Sequence, residues 1–356
     1  MSKVEQKLID ILIIGAGPSG ALAASLLNKA GIEVLVVEKQ IFPRFSIGES
    51  LLPQLMVFLE EAGMTEIIEE ANYQLKNGAA FRKKGQYSEF NFEQKFSAGP
   101  GTTFQVKRAD FDDKLAKCAM AQGVDIHFNH EVNKIEELED GCIVDVMDEN
   151  NEHYQVACNF ILDASGFGRV LPRLLDLELP STFPMRQSIF CHLKDNIGTS
   201  SFDRNKILIS VNPFNKEVWY WLIPFSDGTS SIGVVAKPEY FDNIAGDAKT
   251  KLLTCIEQEP GLKELLANAK PINEVQEISG YSSNVKTLFG KNFALLGNAG
   301  EFLDPVFSSG VTIAFKSASL AAALLIITIL VRILPIIPIV RTSEEQELLD
   351  NNKNTK

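Results

Sequence analysis

The chain has 356 residues, 45% of them hydrophobic and 22% charged, which are the proportions of an ordinary globular protein with a large core. Its formal net charge of -12 argues against a nucleic-acid partner, whose phosphates would be repelled. The five cysteines and four histidines are scattered without the spacing of metal ligands, so we expect reduced thiols in a cytoplasmic protein and no metal site.

The first motif is a strand, a turn and a helix close to the N-terminus. A branched apolar run over Ile9–Ile14 predicts a buried parallel strand, and a helix is predicted over Ala21–Ala30. Between them, Gly15, Gly17 and Gly20 have GxGxxG spacing, which permits a tight turn, backbone approach to a pyrophosphate and close helix packing. The free N–H groups of the helix start attract phosphates. The pattern predicts a dinucleotide site.

A second apolar strand, Val34–Val37, ends in Glu38, whose carboxylate can accept hydrogen bonds from the ribose hydroxyls of an adenosine. An acid at this position favours a free 2′-hydroxyl. The sequence therefore predicts FAD or NAD rather than NADP.

Pro43 and Gly48 predict a loop over residues 40–49, and a helix is predicted over Leu51–Ala62. Arg44 in this loop has two interpretations. It could pair with a phosphate or a ribityl hydroxyl, or it could be a solvated loop arginine.

Alternation over Tyr73–Phe96 predicts strands with turns at Gly78 and Gly85. Lys76 stands just before the first of these glycines, and from residue type alone it is expected at the surface. The next segment, residues 106–124, predicts a helix.

In that helix, Asp110, Asp112 and Asp113 occupy the first turn, where carboxylates suit the helix dipole. The run Asn159–Arg169 has the same pattern as the first motif. An apolar strand ends in an acid and a glycine-rich turn, which can contact a dinucleotide. A plain exit from strand to loop is the alternative.

Residues 181–240 predict a mainly β lobe, in which Trp219 and Trp221 share one face as core residues or as a pocket wall. Helical patterns between 247 and 269 lead back to the nucleotide-binding half. A strand over Phe293–Leu296 then leads towards Ser308-Ser309-Gly310, which opens a helix whose N–H groups could bind a halide or a flavin carbonyl.

The segment 320–340 contains a single charge, Arg332, and is interrupted by Pro335 and Pro338 before a polar tail. Its length permits a membrane span, but the prolines, the arginine and the acidic tail argue against one. A buried helix with an apolar extension and an aberrant end are the alternatives.

Together these blocks resemble the flavin-dependent halogenases, within the FAD-dependent monooxygenases and geranylgeranyl-reductase-like flavoproteins. GAGPSG with Glu38, RADFDDKL, DASGFGR and GNAGEFLDP are similar to the FAD-binding elements of the whole superfamily. FPRFSIGESLLP, LKNGAAF, WYWLIP and DPVFSSGV are similar to halogenase blocks. Lys76 matches the lysine that phenol and pyrrole halogenases place before Gly-Ala.

The resemblance implies an α/β fold with mixed α+β elements: a Rossmann-like FAD-binding domain of the glutathione-reductase and p-hydroxybenzoate-hydroxylase type with an inserted antiparallel β substrate lobe. The implied division assigns 1–75, 106–180 and 286–325 to the FAD-binding domain, 76–105 to substrate-lobe strands, 181–285 to the β-sheet substrate domain and 326–356 to an atypical tail.

The resemblance also implies a reaction. Reduced FAD, supplied by a separate flavin reductase, forms a C4a-hydroperoxide with oxygen, a halide attacks it, and Lys76 directs the resulting hypohalous acid to an electron-rich ring. Trp219 and Trp221 would keep that ring away from the flavin. Phe307 precedes Ser308 where tryptophan halogenases carry a glutamate, so a phenolic or pyrrolic substrate, free or attached to a carrier, is expected.

Carried over residue by residue, the resemblance places catalysis at Lys76, Trp219 and Trp221 and a halide at Ser309 and Gly310. The cofactor-binding residues that it implies are Gly15, Gly17, Pro18, Ser19, Gly20, Glu38, Lys39, Arg44, Glu49, Ser50, Arg108, Asp163, Gly166, Asn298, Asp304, Pro305, Gly310 and Val311. Asn298 stands where the superfamily usually has aspartate. An FAD-dependent monooxygenase, a polyprenyl or fatty-acyl reductase and a non-catalytic flavoprotein are the alternative functions.

Overall fold

A computed structural model describes residues 6–198, 202–302 and 305–333 of the chain. Its strands are, in chain order, β1 (Gln6–Ile14), β2 (Val34–Glu38), β3 (Gln74–Lys76), β4 (Gly78–Lys83), β5 (Gln86–Asn91), β6 (Thr103–Gln105), β7 (Asp125–Phe128), β8 (Glu131–Glu137), β9 (Cys142–Met147), β10 (His153–Asp163), β11 (Glu178–Leu179), β12 (Gln187–Lys194), β13 (Lys206–Val211), β14 (Trp219–Pro224), β15 (Thr229–Ala236), β16 (Lys270–Pro271), β17 (Gln276–Ser279), β18 (Asn284–Val285) and β19 (Phe293–Leu295).

The helices are α1 (Pro18–Lys29), α2 (Leu55–Ala62), α3 (Thr65–Glu69), α4 (Arg108–Ala121), α5 (Val170–Leu174), α6 (Pro238–Asp242), α7 (Ala248–Glu257), α8 (Pro260–Leu265) and α9 (Gly310–Ile333). Short 3₁₀ turns lie at Gly166–Gly168, Gly297–Ala299 and Pro305–Phe307.

The first large sheet has the order β7-β2-β1-β10-β9-β8, with β19 also paired to β10. The pairs β7–β2, β2–β1, β1–β10 and β10–β19 are parallel, whereas β9 and β8 add an antiparallel edge. Residues 11–14 of β1 and all of β2 are buried, because helices and loops cover both faces of these central strands. The parallel order brings the carboxyl ends of β1, β2 and β10 to one edge.

Helices α1, α2, α4 and α9 pack on one face of this sheet. The segment Gly310–Ile329 of α9 is long and apolar enough to cross a membrane by length and composition. Phe315, Ala318 and Ala322 bury one face of α9 in the core, while Leu320 and Leu324 are exposed on the other. One face of α9 therefore packs in the core beside the sheet, whereas most of the segment Gly310–Ile329 is not buried.

The second large sheet has the order β16-β12-β15-β14-β13-β4-β5, with β17 also paired to β12. All of its pairs are antiparallel except β13–β4, which is parallel. A small antiparallel sheet, β3–β6, flanks β4 and β5 in sequence and pairs Lys76 with Thr103. The structure thus has the α/β fold, with an inserted β lobe, that the sequence predicts.

Three local predictions differ from the structure. Helix α1 begins at Pro18 rather than Ala21, because proline at the first helical position already has a helical φ. Helix α2 begins at Leu55, since the backbone of Leu51 instead donates to the Phe104 carbonyl of β6. Gly78 is not in a turn: it begins β4, and a Cβ there would lie 2.1 Å from the Phe90 carbonyl oxygen.

Candidate active site

A cavity of about 1000 Å³ opens at the edge where the parallel strands end and extends to the β lobe. This volume is at the upper end of the range for small-molecule and cofactor sites. Its wall includes most of the residues that the sequence singles out: Gly15, Gly17, Pro18, Ser19, Glu38, Lys39, Arg44, Glu49, Ser50, Arg108, Gly166, Trp219, Trp221, Asn298, Ser309, Gly310 and Val311.

The turn between β1 and α1 forms one end of this cavity. Gly15 has φ +98°, and a Cβ at Gly20 would lie 1.9 Å from the Gly15 carbonyl oxygen, so Gly20 supports the turn by packing rather than by lining the wall. Within the described residues, no side chain caps the start of α1 at Gly17. The first N–H groups of α1 are therefore available to an anionic group in the cavity.

Glu38 ends β2 beside this turn, buried with 7% of its surface exposed. Its carboxylate accepts hydrogen bonds from the backbone N–H of Ala16 at 2.8 Å and of Gln40 at 2.9 Å. These bonds fix the carboxylate in the wall, where lone pairs remain for further donors. Lys39 also lines the wall and pairs with Glu131 at 2.6 Å.

An aspartate holds two wall arginines in place. Asp112, fully buried in α4, accepts from Arg108 Nε at 2.7 Å and from Arg44 Nη1 at 2.8 Å. Arg44 therefore belongs to a buried charge cluster and is not the solvated arginine of the alternative interpretation. The sequence suggested only a helix-dipole role for Asp112, because a partner 68 residues away leaves no local signal.

The end of β10 carries the second strand-end acid. Asp163 is fully buried behind the wall, where it accepts from the N–H groups of Ser165 at 2.9 Å and Leu171 at 2.7 Å. Burial raises the pKa of its carboxyl, although these hydrogen bonds oppose the rise. Asp163 orders the turn at Gly166, which does line the cavity.

The start of α9 contributes Ser309, Gly310 and Val311 to the wall, and Asn298 of the 3₁₀ turn Gly297–Ala299 lines the same cavity. Helix α9 begins at Gly310, and the backbone carbonyl of Ser309 accepts from the Ile313 N–H at 2.9 Å. The placement is that expected for an anion site, because the first N–H groups of a helix lack partners within the helix. Asp304 lies outside the described residues. Pro305 is the first residue of the 3₁₀ turn Pro305–Phe307.

The β lobe closes the cavity with aromatic rings. Trp219 and Trp221 are 9% and 7% exposed, their ring centroids are 6.2 Å apart, and both face the cavity. The indole N–H of Trp221 donates to Ser231 Oγ at 3.0 Å, and Phe190 packs against the same indole. The tryptophans are therefore both core residues and pocket wall, and their hydrogen bonding and packing hold them there.

Glu49 forms a contact that the sequence did not reveal. One carboxylate oxygen lies 2.6 Å from His192 Nε2 on β12, and the other is buried without a partner among the described residues. The pair joins the loop at 40–50 to the β lobe across 143 positions of sequence. This contact therefore holds the wall residue Glu49 against the β lobe.

Lys76 is 1% exposed and does not itself line the cavity. Its Nζ donates to the Leu51 carbonyl at 2.7 Å and lies 5.2 Å from the centre of the Phe92 ring. Burial lowers the pKa of this amine to about 7. The prediction from residue type alone, that Lys76 lies at the surface, is wrong. The amine lies next to Leu51, which directly follows the wall residue Ser50.

This wall fits a dinucleotide flavin. An uncapped helix start, a tight glycine turn and a buried glutamate at the end of β2 are the donors and acceptors that a pyrophosphate and a ribose require. The apolar far end, with Trp221 and Phe190, suits a flat ring system.

Comparison with known proteins agrees with this geometry. Residues 8–281 match the FAD binding domain family. The chain is 30% identical to 1H-pyrrole-2-carbonyl-[peptidyl-carrier protein] chlorinase of Pseudomonas fluorescens, over 88% of this chain and 74% of that protein. The chain belongs to the flavin-dependent halogenases. Its cofactor is accordingly FAD. Because its wall fits that cofactor, we call the cavity described above the FAD-binding cavity.

Solved structures share the fold. The myxobacterial chondrochloren halogenase CndH has a TM-score of 0.83 and 29% identity, covering 97% of this chain and 78% of that chain. A flavoprotein/dehydrogenase from Cytophaga hutchinsonii has a TM-score of 0.87 and 40% identity, covering 91% of this chain and 79% of that chain.

Proposed function

We propose that this chain halogenates an electron-rich aromatic substrate, phenolic or pyrrolic, and that Lys76 directs the halogen to it. The observation that carries the proposal is a fully buried lysine amine beside the wall of an FAD cavity. A buried amine without a carboxylate among its described contacts is costly to the fold, which points to a chemical role.

FAD, when bound and reduced, supplies the electrons and the oxygen activation by which a halide ion is converted to hypohalous acid. The start of α1 would hold the pyrophosphate and Glu38 the adenosine ribose. Arg44 and Arg108 present guanidinium groups to the same wall, where they can neutralise phosphate charge. Asn298 offers an amide that can bond a ribityl hydroxyl without adding a charge.

We assign the halide to the start of α9. Backbone N–H groups at Ser309 and Gly310 offer a partial positive charge to an anion. They lie on the FAD cavity wall, so a halide there is next to the place where the flavin supplies oxidising power.

Lys76 would hydrogen-bond hypohalous acid and stabilise the departing hydroxide while the halogen passes to the ring. A pKa of about 7 means that ammonium and amine are both populated near neutral pH. The ammonium can therefore donate a proton without a large energetic cost. Trp219 and Trp221 would keep the aromatic substrate out of the flavin part of the cavity.

Two partners complete the proposal. The Pseudomonas relative acts, by its name, on a pyrrole-2-carbonyl group attached to a peptidyl carrier protein. We propose that this chain likewise accepts an aromatic acyl group on a carrier, and that a separate flavin reductase provides reduced FAD.

The test supplies purified protein with FAD, a flavin reductase, NADH, oxygen and bromide, together with a panel of phenols and pyrroles in free and carrier-bound form. Mass spectrometry should find a product that carries the bromine isotope pair only when bromide is present. A product that gains oxygen or hydrogen independently of bromide would instead indicate a monooxygenase or a reductase.

A further inference from the structure

The loop between β7 and β8 lies at the adenosine end of the FAD-binding cavity. The first large sheet runs β7-β2-β1, so β7 is on the side of β2 that faces away from β1. The pyrophosphate belongs at the start of α1, directly after β1, and the adenosine ribose at Glu38, where β2 ends. The base, which continues from the ribose away from the pyrophosphate, is therefore directed towards the loop after β7.

One polar side chain of this loop is suited to meet that base. The loop residues that line the cavity are His130, Glu131, Val132 and Asn133. Glu131 is already paired with Lys39, Val132 is apolar and buried, and Asn133 is exposed. The backbone N–H of His130 donates to the Glu38 carbonyl at 3.0 Å, which holds His130 beside the residue assigned to the ribose.

A hydrogen bond determines which nitrogen of the His130 ring is an acceptor. Nδ1 of His130 lies 2.8 Å from the carbonyl oxygen of Phe128. Because a carbonyl oxygen only accepts, the hydrogen of the neutral imidazole is on Nδ1. Nε2 then has a free lone pair. No described residue forms a hydrogen bond with this nitrogen.

The other contacts of the ring lie outside the cavity. Tyr154 packs edge-on against His130, with ring centroids 5.8 Å apart, and the centroid of His127 is 5.0 Å away. Phe128, Tyr154 and His127 do not line the FAD-binding cavity, whereas His130 does. These neighbours therefore hold the imidazole from the protein side, and we assign the free Nε2 to the cavity side.

A lone acceptor at this position distinguishes between bases. Adenine carries an exocyclic amino group, which donates hydrogen bonds. Hypoxanthine carries a carbonyl oxygen at the same ring position, so neutral His130 would face a second acceptor. A protonated His130 has a donor on Nε2 instead and would favour the carbonyl oxygen over the amino group.

Several ionisable groups surround the imidazoles. They are Asp125 and His127 of β7, Glu131 of β8 with its partner Lys39, Asp148 after β9, Tyr154 of β10 and Glu38 of β2. Burial lowers the pKa of His127, although Asp125 opposes this, and a charge on His130 lowers it further. Because His127 resists a proton, acidification charges His130 without a competing charge on its neighbour.

We propose that His130 selects the base of the bound dinucleotide, that its neutral Nε2 accepts a hydrogen bond from the adenine amino group, and that its protonation weakens FAD binding in acid. The proposal rests on the assignment of the ribose to Glu38. It does not depend on halogenation. The protein therefore retains FAD at neutral and alkaline pH and exchanges it more readily when the solution is acidified.

The first test measures binding of FAD and of its analogue with hypoxanthine in place of adenine to the whole chain, by the change in flavin fluorescence, at about pH 8 and about pH 5.5. At the higher pH, FAD should bind about tenfold more tightly than the analogue, because only adenine pairs with the acceptor. At the lower pH this preference should disappear or reverse. Equal affinities at the higher pH, or a preference that does not change with pH, would overturn the proposal.

Three variants separate the nitrogen from the ring. His130→Phe keeps an aromatic ring against Tyr154 but has no acceptor, so the preference for FAD at the higher pH should be lost. His130→Gln presents an amide oxygen that does not titrate, so the preference should persist at both pH values. His127→Phe is the matched control, because His127 contacts the same ring outside the cavity, and its preference at the higher pH should equal that of the wild type.

A wild-type preference in His130→Phe, or a pH-dependent one in His130→Gln, would refute the role of His130. If His130→Phe folds poorly, as judged by circular dichroism, His130→Gln still decides. Glu38→Ala should weaken binding of FAD and of the hypoxanthine analogue alike, so failure of the ribose assignment is seen separately. A chain that shows these affinities but brominates no substrate would refute the proposed function and leave the role of His130 intact.

Discussion

Replacing Lys76 with methionine should make the folded protein more stable, by an amount that depends on pH. The pKa of Lys76 is about 7 rather than its ordinary 10.5, because the charged form is buried. Each pKa unit corresponds to ~1.4 kcal/mol, so burial of the amine costs roughly 5 kcal/mol at and below pH 7.

The cost of burying Lys76 depends on pH because the folded and unfolded chains bind different numbers of protons. Between pH 7 and 10.5 the unfolded chain keeps the Lys76 proton and the folded chain loses it. The free energy of unfolding therefore rises with pH in this range, and the cost of burying Lys76 declines. Methionine fills similar space but loses the bond to the Leu51 carbonyl, worth about 1 kcal/mol. The net gain should fall from about 4 kcal/mol at pH 7 to about 1 kcal/mol at pH 9.

Urea denaturation of the FAD-loaded protein between pH 6.5 and 9, followed by circular dichroism, measures this gain. Lys206→Met is the control. Although partial burial opposes it, the pKa of Lys206 is raised by Asp203 and Glu89, so loss of this lysine should lower the free energy of unfolding slightly. A Lys76→Met protein that is less stable than the wild type, or a gain in stability that does not decline with rising pH, would contradict this prediction.

Further predictions concern the FAD-binding cavity. Glu38→Ala should weaken FAD binding about tenfold or more by removing a charged ribose acceptor, as seen in flavin absorbance after gel filtration, whereas the exposed Glu137→Ala should not. Full flavin occupancy in Glu38→Ala would reject the ribose assignment. Asp112→Asn should lower the free energy of unfolding by about 3 kcal/mol, because Arg44 and Arg108 lose their buried partner. An unchanged urea midpoint would show that the arginines find other partners.

Much of the fold could be predicted because its signals are local. The run Ile9–Ile14, the glycines after it and Glu38 at the end of the next strand follow one another within one strand-helix-strand unit, and the structure shows that unit. Strand-end positions such as Asp163 were equally visible, since a parallel sheet aligns the ends of its strands.

The remaining features depend on contacts between distant segments, and no local pattern encodes those. Lys76 is buried because β3 pairs with β6 and because the Leu51 carbonyl reaches its amine. Leu51 was assigned to a helix for the same reason, since its pairing with Phe104 was not visible. The contact between Glu49 and His192 likewise joins segments that no motif connects.

The most direct test of the account is the bromination of a phenol or pyrrole by the wild type and by Lys76→Met at equal FAD content, with a soluble thioether added to capture escaping hypobromous acid. We expect a brominated aromatic product from the wild type, and from Lys76→Met an oxidised thioether with almost no brominated product. Bromination by Lys76→Met at the wild-type rate would contradict it.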